Sequence, residues 1–384
     1  VPAAHINLTA LKENFTSLAE RVAPKRVLAV VKWDAYGHGL LECTKVLDEA
    51  GAWGFGVSSP ADGVVLRKSG ITKPILVMTD WVGKPEQQFT DYDLSFAATS
   101  WYKVEYLEAL SKKTGKAIST HLKFDTGLGR VGIHHSKHVE TLNDIAKLKH
   151  LKLDAIYSHL AYGGTHDRER GLAQIRIFND IIRNAKTAGL NPTVTHLANS
   201  AAALALPEVP GDLVRTGIAL YGQPPSPTVA DMLPLKSVMT LCGNIVNVKR
   251  IKRGHGFPSP HFWKAPYDGW GIEIDLGFET GYPRTMVGEA SVLYRGKRVP
   301  LVGVMSRTNS YAFVTGEKPE IGEEVVYWGK QGDETIFLYE LAPFIDALPY
   351  ELTTWLNPKV PRSYSTPVLG EGNGGSNGIT SLQD

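Results

Sequence analysis

The chain has 384 residues, 43% of them hydrophobic and 21% charged, which suits one large globular domain plus a smaller one. A formal net charge of +2 offers no basic field to a nucleic acid or a membrane surface, so the expected partner is a small molecule. The two cysteines, Cys43 and Cys242, make no disulfide framework and lack the spacing of a metal site, so no metal is expected. No apolar run approaches the ~18 residues of a membrane span. A cytoplasmic location is expected, although the sequence begins at Val1 and a leader removed ahead of it would change that.

In chain order, the strand candidates are RVLAVVK (26–32), GFGVSS (54–59), PILVMT (74–79), LSFAAT (94–99), THLKFD (120–125), LDAIYSHL (153–160), TVTHLAN (193–199) and LVRTGIALYG (213–222). Between them, Val139, Leu142, Ile145, Ala146 and Leu148 share one helix face, and Ile175, Phe178, Ile181 and Ile182 share another. Strands alternating with helices imply parallel βαβ units, and eight such units predict an α/β fold closed as a (β/α)8 TIM-like barrel. An open doubly wound sheet is the alternative, but no Gly-rich dinucleotide fingerprint follows the first strand.

Beyond about residue 233 the helical periods stop. CGNIVNVKRI (242–251), WGIEIDLGF (270–278), SVLYRGKRVPLVGVM (291–305), EEVVYWG (323–329) and ETIFLYELA (334–342) predict a mostly β C-terminal domain. The division expected is a barrel over 1–232, whose first few residues are candidates for the β domain, a β domain over 233–367, and a flexible Gly/Ser/Asn-rich tail over 368–384.

A parallel barrel presents its functional groups at the C-terminal ends of its strands. There the sequence puts Lys32 and Tyr36, Lys123 leading to Arg130, His159, then His196, Asn199 and Ser200, and finally Arg215, Gly217 and Ile218. A lysine in a partly dry barrel mouth has its amine pKa lowered by desolvation, which favours a Schiff base with an aldehyde such as pyridoxal 5'-phosphate. RTGI (215–218), Asn199, Ser200 and Tyr36 offer backbone N–H groups and hydroxyls for the phosphate. Spacing alone leaves open a second reading, in which Lys32 snorkels to the surface and the glycines only make turns.

AVVKWDAYGHG (29–39), HLKFDTGLGRVG (121–132), SHLA (158–161), HLANSAA (196–202) and VRTGIALYG (214–222) resemble the ordered signatures of the alanine racemase family, and the likeness extends from AHINLTALKENF (4–15) to KVPRSY (359–364). The resemblance implies a pyridoxal-phosphate barrel followed by a β domain, acting on an amino acid, with homodimers whose active sites are each completed by the partner's β domain. It makes Lys32 the Schiff-base lysine and Tyr36, Ser200, Gly217 and Ile218 phosphate neighbours. It sets His159 against the cofactor ring and Arg130 near the ring hydroxyl, with Lys123 as a lysine carbamylated in many relatives. It places Arg215 at the pyridine nitrogen. A guanidinium keeps its proton, so the ring nitrogen stays an acceptor and transamination is suppressed.

The substrate side departs from the family pattern. Racemisation there uses a second base, a tyrosine of the neighbouring subunit lying 19 residues ahead of an Ile-Gly-Tyr motif. Counting back the same distance from Phe278 lands on Ser259. Where the family has Met-Asp-Gln, this chain has Arg307, Thr308 and Asn309. Ser259 and Arg307 therefore join Lys32 as candidate catalytic residues, Arg307 either gripping an anion or facing solvent in a turn. A serine hydroxyl is a poor general base, which leaves a racemase or epimerase with a substituted base (His255, His261 and Tyr267 are nearby), a one-base lyase, and an inactive cofactor-binding homologue as readings.

Overall fold

The computed structural model describes residues 1–79, 86–161, 163, 167–206 and 208–365, so the expected tail lies outside the described residues. Eight parallel strands form the barrel: Arg26–Val30, Gly54–Val57, Ile75–Val77, Ser95–Ala98, Ser119–Asp125, Lys152–Tyr157, Val194–His196 and Leu213–Thr216. The eighth pairs with the first (Arg215 opposite Leu28), and the fourth pairs with the fifth (Ala97 opposite His121), which closes the ring as the sequence predicts. GFGV, ILV and SFAA are buried at every position. That pattern belongs to strands covered on both faces, with packed side chains inside the ring and helices outside it.

The helices supply the outer cover. Leu8–Val22 is capped by the Asn7 side chain, which accepts from Ala10 N–H at 2.9 Å, and it buries the stripe Leu11, Phe15, Leu18 and Val22. Arg168–Thr187 buries Ile175, Phe178 and Ile181, as its period predicts. In His138–Ile145, Leu142 and Ile145 are buried but Val139 is half-exposed: it sits in the first turn, before the helix settles onto its neighbours.

The β domain is one twisted sheet system in which Ser291–Tyr294, Glu324–Gln331, Met239–Ile251 and Ala3–Asn7 lie side by side. The chain thus begins in this sheet, where Ala3 pairs antiparallel with Cys242, and Arg362–Ser365 returns to pair parallel with the same opening strand. The stretch 291–305 is two strands, Ser291–Tyr294 and Lys297–Pro300, folded at Arg295 (φ 48°) and Gly296 (φ 69°). The stretch 334–342 keeps only Glu334–Ile336 as strand before the helix Leu338–Leu341. No helix among the described residues is long and apolar enough to cross a membrane.

Candidate functional site

The first strand stops at Val30, two residues short of the apolar run, and Lys32 opens a tight turn. Trp33, Asp34, Ala35 and Tyr36 all have φ between 52° and 55°. Left-handed backbone costs about 1–2 kcal/mol per non-glycine residue, so the turn needs support. Asp34 gives it twice, accepting from Leu40 N–H through its carboxylate at 2.8 Å and from Gly39 N–H through its backbone carbonyl at 3.0 Å. Tyr36 adds packing, with its ring 5.2 Å from Tyr221 and 5.6 Å from Tyr350. The result is that Lys32 and Tyr36 both line one cavity.

That cavity, of ≈ 230 Å³, is lined by Lys32, Tyr36, Arg130, His159, Asn199, Ser200, Arg215, Gly217 and Ile218. Every residue expected to touch the cofactor is thus on one wall or another of a single space. Val30, Met78, Ala201, Pro225 and Tyr350 complete the lining. Tyr350 escaped the sequence reading. It arrives on the short helix Pro349–Thr354 of the C-terminal domain and stacks on Trp33 at 6.2 Å, and only the aromatic pair Trp33/Tyr36 beside the lysine hints that a third ring is needed.

Burial, with the Arg130 charge adding to it, lowers the Lys32 pKa from the usual lysine range. Burial pushes the Tyr36 phenol up, so its hydroxyl keeps its proton. Arg130 sits at the end of a loop held by Asp125. The Asp125 carboxylate accepts from the N–H groups of Gly127, Leu128, Gly129 and Arg130 at 2.8–3.2 Å. Desolvation works against that charge, but the four donors outweigh it and the carboxyl titrates lower than usual. Ser200 Oγ accepts from Gly217 N–H at 3.0 Å. Gly217 has no room for a side chain, since a Cβ there would stand 2.6 Å from the Tyr36 hydroxyl.

Arg215 is buried at the floor. Its Nη2 donates to the carbonyl of Ser158 at 2.8 Å and lies 3.3 Å from His159 Nδ1, while Nη1 donates to His196 Nδ1 at 2.9 Å. Burial lowers its pKa to about 10, partly offset by Tyr157, and the group remains a cation at neutral pH. Burial and then the Arg215 charge push His159 and His196 well below the usual imidazole range, so both rings are neutral. The Nε–H of Arg215 is buried and finds no acceptor among the described residues. An aromatic nitrogen placed in the cavity would satisfy it, and the lysine amine, hydroxyls and cramped glycine around it suit a phosphorylated pyridine aldehyde. Lys123, buried on the fifth strand, lies 5.6 Å from the Tyr157 ring centre, next to this wall.

Ser259 and Arg307 do not reach the cavity of their own chain. Ser259 lies in a β-domain loop, where its carbonyl accepts from Phe262 and Trp263 N–H groups. Arg307 faces solvent in the turn 306–309, its Nε 2.9 Å from Glu279 Oε2, which is the turn alternative raised from the sequence. The turn does meet the segment from which the count to Ser259 starts: Phe278 N–H bonds to the Ser306 carbonyl and Glu279 N–H to the Arg307 carbonyl.

Comparison with known proteins gives one consistent result. Residues 6–225 match the family model of the alanine racemase N-terminal domain and residues 238–364 that of the alanine racemase C-terminal domain. Alanine racemase of Symbiobacterium thermophilum is 33% identical over 94% of this chain and 96% of its own, and that of Geobacter sulfurreducens is 33% identical over 95% and 97%. Among solved structures, alanine racemase from Streptomyces lavendulae superposes with a TM-score of 0.90 at 29% identity, covering 96% of this chain and 97% of that one. A histidine racemase from Leuconostoc mesenteroides superposes at 0.83 and 25% identity, covering 95% and 98%.

Proposed function

The chain belongs to the alanine racemase family, and we propose from that premise that it is a pyridoxal-phosphate-dependent racemase acting at the α-carbon of an amino acid. The observation that carries the reading is the convergence of Lys32, Tyr36, Arg130, His159, Ser200, Arg215 and Gly217 on one cavity at the C-terminal ends of the barrel strands. Pyridoxal phosphate, when bound, supplies an aldehyde that condenses with amines and a conjugated ring that eases loss of the α-proton. The Lys32 amine, its pKa lowered by burial and by Arg130, has a larger neutral fraction at neutral pH than an exposed lysine, so it serves as nucleophile and as proton carrier on one face. Tyr36 and Ser200 hold the phosphate with their hydroxyls, and Gly217 positions the Ser200 hydroxyl by donating its N–H to Ser200 Oγ. Arg215 donates a hydrogen bond without giving up its proton, and neutral His159 packs beside it.

The second proton carrier belongs to the other face. In this proposal two copies pair so that the β domain of one closes the cavity of the other, and Ser259, His255, His261 and Tyr267 are the candidates there, with Arg307 and Asn309 shaping the substrate side. The one-base lyase and the inactive homologue draw no support from the relatives named above, which are racemases. The wider choice of substrate within the fold is shown by the histidine racemase.

The test is incubation with single amino acids and pyridoxal phosphate in D2O, followed by proton NMR and chiral analysis. Both enantiomers carrying α-deuterium are expected, from alanine or from a larger amino acid. Exchange without inversion, or release of a keto acid, aldehyde or amine, contradicts the racemase reading. Lys32→Ala is expected to abolish the covalently bound cofactor's visible absorption, and survival of that band would remove Lys32 from its role.

A further inference from the structure

Outside the cavity, on the β sheet, three side chains with metal-binding atoms, His5 and Glu324 exposed and Cys242 buried, come together from three adjacent strands. His5 is on Ala3–Asn7, Cys242 on Met239–Ile251 and Glu324 on Glu324–Gln331, and one ligand atom from each lies within 4.8 Å of the other two. The register explains the cluster. Ala3 pairs with Cys242 and His5 with Thr240, so His5 and Cys242 share a face; Glu324 pairs with Asn244 on the other side of the central strand, two residues along from Cys242. The opening strand alternates buried Ala4 and Ile6 with outward His5, so this imidazole is not part of the core.

We propose that His5, Cys242 and Glu324 form a binding site for one borderline divalent cation of the Zn²⁺ class, with water completing the coordination. A nitrogen, a sulfur and a carboxylate oxygen match what zinc takes, and the solvent-facing side leaves the fourth position open. Ser363, on the next strand, hydrogen-bonds Nδ1 of His5, which leaves Nε2 for the metal and fixes the ring in the way outer partners of ligating histidines do. Binding of the metal by the thiolate releases the Cys242 thiol proton to solvent. The spacing of cysteines along the chain gave no sign of this site, because strand pairing and not sequence proximity assembles it. Binding would pin the opening strand to the centre of the sheet.

The experiment titrates the full chain, free of any affinity tag, with cobalt(II) chloride and reads the visible spectrum. The d–d bands of four-coordinate cobalt lie to the red of pyridoxal absorption, and a thiolate ligand adds a charge-transfer band that histidines cannot give. That band matters because HHSKH (134–138) also offers imidazoles, with the His134 and His135 rings 4.4 Å apart. One cobalt per chain with a thiolate band is expected, and the band should vanish in Cys242→Ala while Cys43→Ala retains it. His5→Gln and Glu324→Gln should weaken zinc, measured by competition with a chromophoric chelator, by at least about tenfold. Zinc should raise the unfolding midpoint of the parent protein and leave that of His5→Gln, an exposed change, where it was. Binding without a thiolate band, a thiolate band that survives Cys242→Ala, or no binding would each overturn the proposal.

Discussion

Nη1 of Arg215 lies 2.9 Å from Nδ1 of His196, in the middle of the barrel. A guanidinium only donates, so Nδ1 of His196 accepts and its ring proton sits on Nε2. That nitrogen is 3.1 Å from Nδ1 of His121, which must accept in turn and carry its own proton on Nε2. One fixed donor thus sets the tautomers of two neutral imidazoles. Nitrogen-15 NMR should show both rings neutral and protonated at Nε2; an Nδ1–H form of His196 would refute the ordering. Replacing His196 with Ala leaves Nη1 only the His196 backbone carbonyl at 3.2 Å, and a loss of about 1–3 kcal/mol of stability is expected from the weakened buried donor.

The buried imidazoles also set a pH dependence. Burial holds His38 and His121 down to about 4, and burial with the Arg215 charge holds His159 and His196 well below the usual imidazole range, whereas an unfolded chain titrates its histidines near ~6.5. Between those values the unfolded state binds more protons, so stability rises with pH and is lost as pH falls through that window. Each such group contributes a slope of at most about 1.4 kcal/mol per pH unit. The unfolding midpoint should therefore begin to fall below about pH 6.5, above the range where ordinary carboxylates titrate. A midpoint that stays level from about pH 7 to pH 5 would contradict it.

Gly37 ties the lysine turn to the end of the chain. Its φ is +82°, and a Cβ there would stand 2.2 Å from the Thr353 carbonyl, while its own carbonyl accepts from Arg362 Nε. Gly51 has φ +100° with open space around it. Gly51→Ala should cost only the left-handed backbone term of about 1–2 kcal/mol, and Gly37→Ala should cost more, because backbone must move as well. Equal unfolding midpoints for the two variants would show that the segment around Thr353 is not packed on this turn.

That packing also marks the limit of what the sequence reveals. The barrel strands were legible because parallel strands buried on both faces are unbroken apolar runs, and the lysine stood out because it ended one of them. The run's apparent end at Lys32 was two residues late: the left-handed turn is made by Trp33, Asp34, Ala35 and Tyr36, of which only Asp34 is a type that visits that backbone with any frequency, so local preference does not announce a run of four. Tyr350 and the strand Arg362–Ser365 were missed for a related reason, since both take their positions from contacts with residues more than 300 places earlier. The sequence left Arg307 open between an anion grip and a solvent-facing turn, because its partner Glu279 is 28 residues away and only the turn brings the two together.

Ser259 carries the last prediction. Its loop is anchored at the base, where Gly254 N–H bonds to the Ala265 carbonyl at 2.8 Å and Ala265 N–H to that of His255 at 2.9 Å. Phe257 packs against Tyr311 at 5.5 Å, and Gly271 leaves room for its ring. Position 259 therefore lies at the tip of a braced loop, partly buried and beside exposed Phe262, where a phenol fits without disturbing the core. If the distance counted from Phe278 is the right register, this tip faces the partner's cavity, and Ser259→Tyr restores a proton carrier opposite Lys32. A general base contributes about 10²–10⁴-fold when well placed, so even an imperfectly aligned phenol should raise alanine racemisation about tenfold or more, with a new basic limb in the pH–rate profile. A folded, dimeric Ser259→Tyr protein with unchanged kcat/KM for alanine and no new limb would show that the second carrier lies elsewhere on the loop, at His255, His261 or Tyr267.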